Sequence, residues 1–132
     1  MLLNRPKNID VAEIAAKEYI KSNYDISGNL TFENVSGMYT VNCDGDVEVK
    51  NKEIGKLTEG FVWGEVKGNF NCSRCKNLRT LEGAPEIVGG TFDCSWCEKL
   101  ETLKGAPKEI GGAFNCTWCV NLNTLVGTLI RN

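Results

Sequence analysis

The feature that most constrains this chain is a 22-residue repeat that runs from Phe70 to Gly127. Three units open on phenylalanine and read Phe-x-Cys-Ser/Thr-x-Cys-x-x-Leu-x-Thr-Leu-x-Gly, and the first two continue through Ala-Pro and Gly-Gly into the next unit. The segments 72–93 and 94–115 are identical at 12 of 22 positions. A fixed period of this length predicts a repeat architecture in which each unit buries its apolar side chains against its neighbours.

Each unit contains the pattern of a short strand followed by a return path. Phe92 and Cys94 flank Asp93, which is the alternation expected of a half-buried strand. Pro107 lies on the return path, and because proline cannot donate to a strand ladder, the return is predicted to be irregular. Leucines three residues apart fit a turn that points back into the core. One strand, one bend and one irregular return make up one coil of a solenoid.

The charged residues provide an independent prediction of register. If the coils stack in register, residues 22 positions apart become neighbours, and four such pairs carry opposite charges. The pairs are Lys76–Glu98, Arg79–Glu101, Glu82–Lys104 and Glu86–Lys108. Opposite charges on adjacent strands stabilise by roughly 0.2–1 kcal/mol, with exposed pairs at the low end. These pairs therefore contribute little to stability, but they indicate that the coils stack in register.

The region before the repeat has the pattern of a cap. Asp10 followed by Glu13 is a capping-box-like start for an amphipathic helix that runs from Val11 to about Asn23. Three strands are predicted after it, and Asp44-Gly45 is predicted to form a hairpin turn. The predicted strands span Leu30–Val35, Met38–Cys43 and Val47–Lys50.

These elements predict one continuous domain. Val47 and Val49 lie 23 residues before Phe70 and Cys72, so they fit a degenerate first coil. We expect a repeat solenoid, mostly β, with an N-terminal α+β cap over residues 1–68. Three repeat coils over residues 69–132 follow, the last of them incomplete.

The repeat region of the chain resembles a leucine-rich-repeat protein of the short bacterial or phage type. The pattern Leu-x-Leu-x-x-Asn-x-Leu maps onto Phe92, Cys94, Cys97 and Leu100, over about 57 residues from Phe70 to Val126. The extra residue before Leu100 and the Gly-Ala-Pro return depart from the commonest versions. The resemblance implies a solenoid used for protein binding. Similar Gly-Ala-Pro/Gly-Gly repeats in phage proteins further imply an inhibitor that occupies a host defence complex in the host cytoplasm.

Six of the seven cysteines form three Cys-x-x-Cys pairs, which admit three interpretations: buried ladders, a metal or cluster site, or disulfides. They are Cys72, Cys75, Cys94, Cys97, Cys116 and Cys119. Paired knuckles at this spacing are typical of zinc sites, and the alternative function is a cysteine-knuckle zinc protein that contacts nucleic acid. The period also covers Phe, Leu, Gly, Pro and Thr, which a metal does not require. We therefore expect two buried cysteine ladders and no cofactor.

The overall composition narrows the function classes. The net charge of −2 gives no basic footprint for nucleic acid, and the chain has no histidine, the commonest acid/base catalyst at neutral pH. No apolar run is long enough to span a membrane. The odd cysteine count and the absence of a signal sequence predict a cytoplasmic location. We expect a non-enzymatic, protein-binding chain.

The position between the paired cysteines varies and predicts a partner-binding surface. Arg74, Trp96 and Trp118 occupy it in successive units. Stacked coils would align them in a row, with Asn71, Asp93 and Asn115 beside it. Tryptophan and arginine are enriched among residues that dominate interfaces. A stack that only satisfies itself is the alternative.

The C-terminus suggests a second surface. Leu125, Leu129 and Ile130 lie at the end of the last unit, which no polar capping repeat follows. An open end predicts self-association or docking of a partner there, and a tail folded over the edge is the alternative.

Overall fold

A computed structural model describes residues 10–122, which form a mostly β solenoid of about four turns preceded by one helix. The helix, α1, spans Val11–Asn23, as the sequence predicts. Asp10 caps it, because its carboxylate accepts a hydrogen bond from the Glu13 N–H at 3.1 Å. The Tyr39 hydroxyl also donates to this carboxylate and holds the pKa of Asp10 below its usual value. Within residues 10–122, no helix is both long and apolar enough to cross a bilayer.

Strands within the described residues form two five-stranded sheets. The first sheet has, in spatial order, β1 (Tyr24–Ser27), β4 (Asp46–Val49), β6 (Phe70–Asn71), β8 (Phe92–Asp93) and β10 (Phe114–Asn115). The second has β2 (Leu30–Val35), β3 (Met38–Cys43), β5 (Phe61–Val66), β7 (Ile87–Val88) and β9 (Glu109–Ile110). Each turn of the solenoid contributes one strand to each sheet.

The stacking follows the register of the repeat. Phe70 pairs with Phe92, and Phe92 with Phe114, all in parallel strands. Val47 pairs with Phe70 in the same direction, so the degenerate first coil is confirmed. Backbone hydrogen bonds of 2.8 Å link Cys72 N–H to the Asp93 carbonyl and Cys94 N–H to the Asn115 carbonyl. The repeat period is therefore the spacing between neighbouring coils.

The hairpin predicted at Asp44-Gly45 is wrong. These residues form a corner between β3 and β4, which lie in different sheets. The hairpin instead joins β2 to β3 through Ser36 and Gly37, whose φ values are 55° and 89°. Asp-Gly marks a tight change of direction without specifying the pairing of the strands around it. Gly45 is needed because a Cβ there would lie 1.8 Å from the Ser27 carbonyl oxygen.

The return path also differs from the irregular segment that proline predicts. A parallel strand, β7, begins two residues after Pro85 and pairs with β5. The missing proline N–H costs no ladder bond, because the hydrogen bonding to the previous coil begins at Glu86, whose N–H donates to the Gly64 carbonyl at 3.0 Å. The return therefore builds the second sheet.

Columns of equivalent side chains fill the space between the sheets. The rings of Phe70 and Phe92 stack at 5.6 Å with 9° between their planes. Leucine and cysteine columns are buried behind them. Trp63 continues the aromatic packing into the cap, with its ring 6.1 Å from Phe70, and is buried there. Helix α1 contributes Ala16 and Ile20 to the same core.

A hydrogen-bonded column holds the corners between the sheets in register. The side chain of each residue accepts from the backbone N–H of its equivalent in the next coil: Asn69 N–H to Asp46 at 2.8 Å, Thr91 N–H to Asn69 at 2.8 Å, and Ala113 N–H to Thr91 at 3.2 Å. The adjacent Gly-Gly pairs permit this approach. A Cβ on Gly90 would lie 2.3 Å from the Asn69 amide oxygen.

Three of the four predicted charge pairs are confirmed. Arg79–Glu101, Lys104–Glu82 and Lys108–Glu86 lie at 2.9, 3.4 and 3.2 Å. Lys76 differs, because its ammonium pairs with Glu53 of the preceding coil at 3.0 Å. The period predicts which residues stand side by side, but a cation between two coils can turn to either one.

Charge reversal across one pair should test this register. Glu101→Lys places two cations together and should lower the free energy of unfolding by a few tenths of a kcal/mol, because both side chains are exposed. Adding Arg79→Glu should recover most of the loss. Denaturant unfolding of the single and double variants measures both effects. Additive losses without recovery would contradict the pairing.

Candidate partner-binding surface

Three side chains between the paired cysteines form one continuous row on the surface. We call Arg74, Trp96 and Trp118 the stacked row. The Arg74 guanidinium lies 5.2 Å from the Trp96 ring, and the two indoles stack at 5.2 Å with 19° between their planes. Trp96 is 42% exposed and Trp118 is 62% exposed. The predicted alignment of these residues is therefore what the structure shows.

The backbone at the stacked row has an unusual conformation that the sequence does not reveal. Arg74, Trp96 and Trp118 have φ values of 62°, 61° and 61°, in the left-handed region that favours glycine. The N–H groups of Arg74 and Trp96 remain in the ladder between coils, because they donate to the Ser95 and Thr117 carbonyls of the next coil. The same strained turn therefore recurs in each coil and projects a large side chain.

Asn71, Asp93 and Asn115 have a local structural role in this turn. Each side chain accepts from the backbone N–H two residues later, at 2.8, 2.9 and 3.0 Å. Asp93 also accepts from the Ser95 hydroxyl at 2.6 Å. These bonds account for an Asn or Asp at the end of each short strand. A contact with a partner remains a prediction for these three residues.

The same three positions belong to a longer row that sequence reasoning missed. Strand pairing places Asp25 opposite Glu48, and Glu48 opposite Asn71, which continues the row through Asp93 to Asn115. We call these five residues the outer row, because their neighbours along each strand point inward. The 23-residue offset could have added Glu48, whereas Asp25 joins through an antiparallel strand that no repeat announces.

The paired cysteines lie beneath this surface as two buried columns. Cys72, Cys94 and Cys116 form one column, and Cys75, Cys97 and Cys119 form the other. The columns are linked, because the Cys97 thiol donates to the Cys72 carbonyl at 3.2 Å and the Cys119 thiol to the Cys94 carbonyl at 3.0 Å. A cysteine side chain is small and largely apolar, so it packs in this buried space, and its S–H group is a weak donor that can make these hydrogen bonds.

Burial and hydrogen bonding shift the acidity of these thiols. Burial holds the pKa of Cys72 well above its usual value, and the hydrogen bond with Cys119 followed by burial does the same for Cys94. Hydrogen bonds with Cys119 and Cys75, together with burial, raise the pKa of Cys97. The pKa of Cys75 is lowered by its hydrogen bond with Cys97. Three of the thiols therefore resist conversion to the thiolate, which is the form of cysteine that acts as a nucleophile or binds metal.

The described surface offers no cluster with the composition of a metal site. In residues 10–122, no group of three or more histidine, cysteine, aspartate or glutamate side chains is placed to hold a metal ion. An apolar groove of about 330 Å³ lies between α1 and the cap strands and is lined by Lys17, Ile20, Lys21, Ile26, Leu30 and Phe32. No carboxylate or thiol lines it.

The predicted C-terminal edge falls outside the described residues. Leu125, Leu129 and Ile130 follow residue 122, so self-association through them remains a prediction. In the comparisons with known proteins, no family model, no curated protein and no solved structure matches this chain.

The thiol columns predict a loss of stability at alkaline pH. Unfolded cysteine ionises near pH 8.5, whereas Cys72, Cys94 and Cys97 have raised pKa values in the folded protein. Their contribution is complete below about pH 8.5 and declines as the pH rises, by at most about 1.4 kcal/mol per pH unit for each thiol. The lowered pKa of Cys75 acts in the opposite direction and offsets part of this decline. Denaturant unfolding under reducing conditions between pH 7 and 10 measures the slope. Cys94→Ala should make it shallower, and a flat profile would contradict the assignment.

A separate measurement tests the metal alternative. Protein purified without added zinc should be folded, contain less than stoichiometric metal and keep its unfolding midpoint in chelator. Metal analysis and chelator titration report these quantities. About one zinc per chain, together with unfolding on chelation, would show that the cysteines are ligands.

Proposed function

We propose that this protein is a non-enzymatic protein-binding module that contacts its partner through the stacked row. The observation that carries the proposal is the pair of exposed, stacked indoles of Trp96 and Trp118 on strained backbone. Tryptophan and arginine are enriched in the few residues that dominate binding free energy. Val120, two residues after Trp118, is 70% exposed and adds apolar surface to the same coil as Trp118.

The energetics favour a role beyond the fold. A left-handed conformation costs a residue with a side chain about 1–2 kcal/mol, and three residues of the row adopt it. An aromatic pair contributes about 0.5–1.5 kcal/mol, and an exposed cation–π contact about 0.5–1 kcal/mol. Self-stacking therefore does not offset the strain, which glycine would remove. The presence of large side chains at all three positions is explained if a partner contacts them.

The identity of the partner rests on the resemblance. The solenoid resembles leucine-rich-repeat proteins of the short bacterial or phage type, whose repeats present such rows to other proteins. Under this proposal the chain is a phage inhibitor that acts in the host cytoplasm by occupying a host defence protein. The stacked row would supply the contact. The zinc and nucleic-acid alternative rests on the Cys-x-x-Cys spacing, and metal analysis of the purified protein tests it.

Removal of both indoles tests the proposal directly. Trp96→Ala with Trp118→Ala should weaken binding to the partner by at least about 2 kcal/mol, the scale of interface hot spots. Affinity capture with the wild-type chain identifies the partner, and calorimetry with the purified partner gives the free energy. The double variant should still unfold cooperatively, because the exposed rings lie outside the Phe, Cys and Leu columns.

Lys76→Ala provides the matched control. Lys76 is exposed in the same coil as Arg74 but lies outside the row, and its replacement should change the binding free energy by less than about 0.5 kcal/mol. Unchanged binding with a sharp loss of stability in the tryptophan variant would show that the indoles are structural.

A further inference from the structure

The outer row gives the first sheet a face with one sign of charge. Asp25, Glu48 and Asp93 are its charged members, and Asn71 and Asn115 complete it. The five strands of this sheet contain no lysine or arginine. Among the described residues, none of the three carboxylates forms an ion pair. Lys50 and Arg74 follow the ends of two of these strands by one and three residues, and the Lys52 ammonium donates to the Ser73 carbonyl at 3.0 Å.

This arrangement is unfavourable for the isolated fold. Asp25 and Glu48 are directly opposite each other on neighbouring strands, and like charges in that position destabilise a sheet. The strands could carry asparagine there without losing a hydrogen bond, as Asn71 and Asn115 show at equivalent positions. The negative charge is therefore not required by the solenoid.

Charges elsewhere on the solenoid are arranged differently. Around the turns, the coils of residues 70–91 and 92–113 place opposite charges side by side, and Arg79–Glu101, Lys104–Glu82 and Lys108–Glu86 are all within 3.4 Å. Charge is thus neutralised between these two coils. On the first sheet, strand pairing instead places Asp25 directly opposite Glu48, and these negative charges remain for a partner to neutralise.

We propose that the partner presents a basic, arginine-bearing segment that lies along the first sheet, between the outer row and the stacked row. This inference rests on the proposed function and specifies the chemistry of its partner. In the three repeat coils the two rows are three residues apart, and the outer row continues through Glu48 to Asp25, so one bound segment can contact both rows. Complementary charge then sets orientation and association rate, while the indoles supply most of the affinity.

The stacked row itself shows which group fits its exposed end. Arg74 already places a guanidinium over one face of Trp96, and Trp118 presents a more exposed indole at the other end of the row. A guanidinium is planar, stays charged and stacks on aromatic faces, whereas an ammonium is more strongly hydrated. Arginine is therefore expected to bind better than lysine at Trp118, and a polyanion is expected to be repelled.

Short peptides test this chemistry on the purified chain. The probes are a nine-residue arginine peptide, a lysine peptide of the same length and a single-stranded oligonucleotide, followed by tryptophan fluorescence and calorimetry. The arginine peptide should bind severalfold tighter than the lysine peptide, and its affinity should fall as salt is raised. No saturable binding of the arginine peptide, or tighter binding of the oligonucleotide, would overturn the proposal.

Two charge-matched variants locate the interaction. The first neutralises the outer row with Asp25→Asn, Glu48→Gln and Asp93→Asn, the last of which retains the turn as in the other coils. The second neutralises Glu82, Glu86 and Glu101 to glutamine, which changes the net charge equally. The first variant should bind the arginine peptide at least tenfold more weakly than the wild-type chain, and the second less than twofold more weakly. Equal effects would mean that only total charge matters and would overturn the proposal.

The natural partner separates this inference from the proposed function. If the tryptophan variant loses the partner while the outer-row variant keeps it, the basic-segment proposal fails and the protein-binding proposal stands. If the outer-row variant loses the partner while the tryptophan variant keeps it, the stacked row is not the contact, and both the proposed site and the two-row segment fail. Loss in both variants supports both proposals. Retention in both overturns both.

Discussion

In-register stacking of the coils is the constraint on which the rest of the structure depends. Backbone bonds such as Cys72 N–H to the Asp93 carbonyl leave no freedom to shift one coil against the next. Each position must therefore suit the same position above and below it. Phenylalanine stacks on phenylalanine in the core. At the corners, side-chain oxygens accept from the next coil, and glycine stands where a Cβ would collide with it.

This constraint explains why much of the architecture can be predicted from the sequence. A strict period places equivalent residues side by side, so Phe70, Phe92 and Phe114 were identifiable as one column, and Arg79 was identifiable as a neighbour of Glu101. The row of Arg74, Trp96 and Trp118 follows from the same reasoning. Lys76 was assigned to the wrong neighbour because a long flexible side chain can reach either adjacent coil.

Features that depend on backbone conformation or on non-repeating segments could not be predicted in this way. The left-handed conformation of Trp96 has no signal in the residue itself, because tryptophan rarely adopts it. Asp44-Gly45 indicated a turn but not that the chain passes to another sheet there. Asp25 joins the outer row through an antiparallel strand, so no spacing in the sequence relates it to Glu48.

The division between constrained and unconstrained positions bears on how such a chain acquires a binding surface. Interior positions of the repeat are nearly invariant between coils, since a change in one column disturbs two neighbours. Exterior positions vary between coils while the backbone stays the same: one Asx turn accepts Asn71, Asp93 or Asn115 with oxygen acceptors at 2.8–3.0 Å. The fold therefore does not select aspartate over asparagine at residue 93. The solenoid tolerates the negative charge at residue 93 but does not require it. Binding of a partner can therefore determine which residue occupies this position.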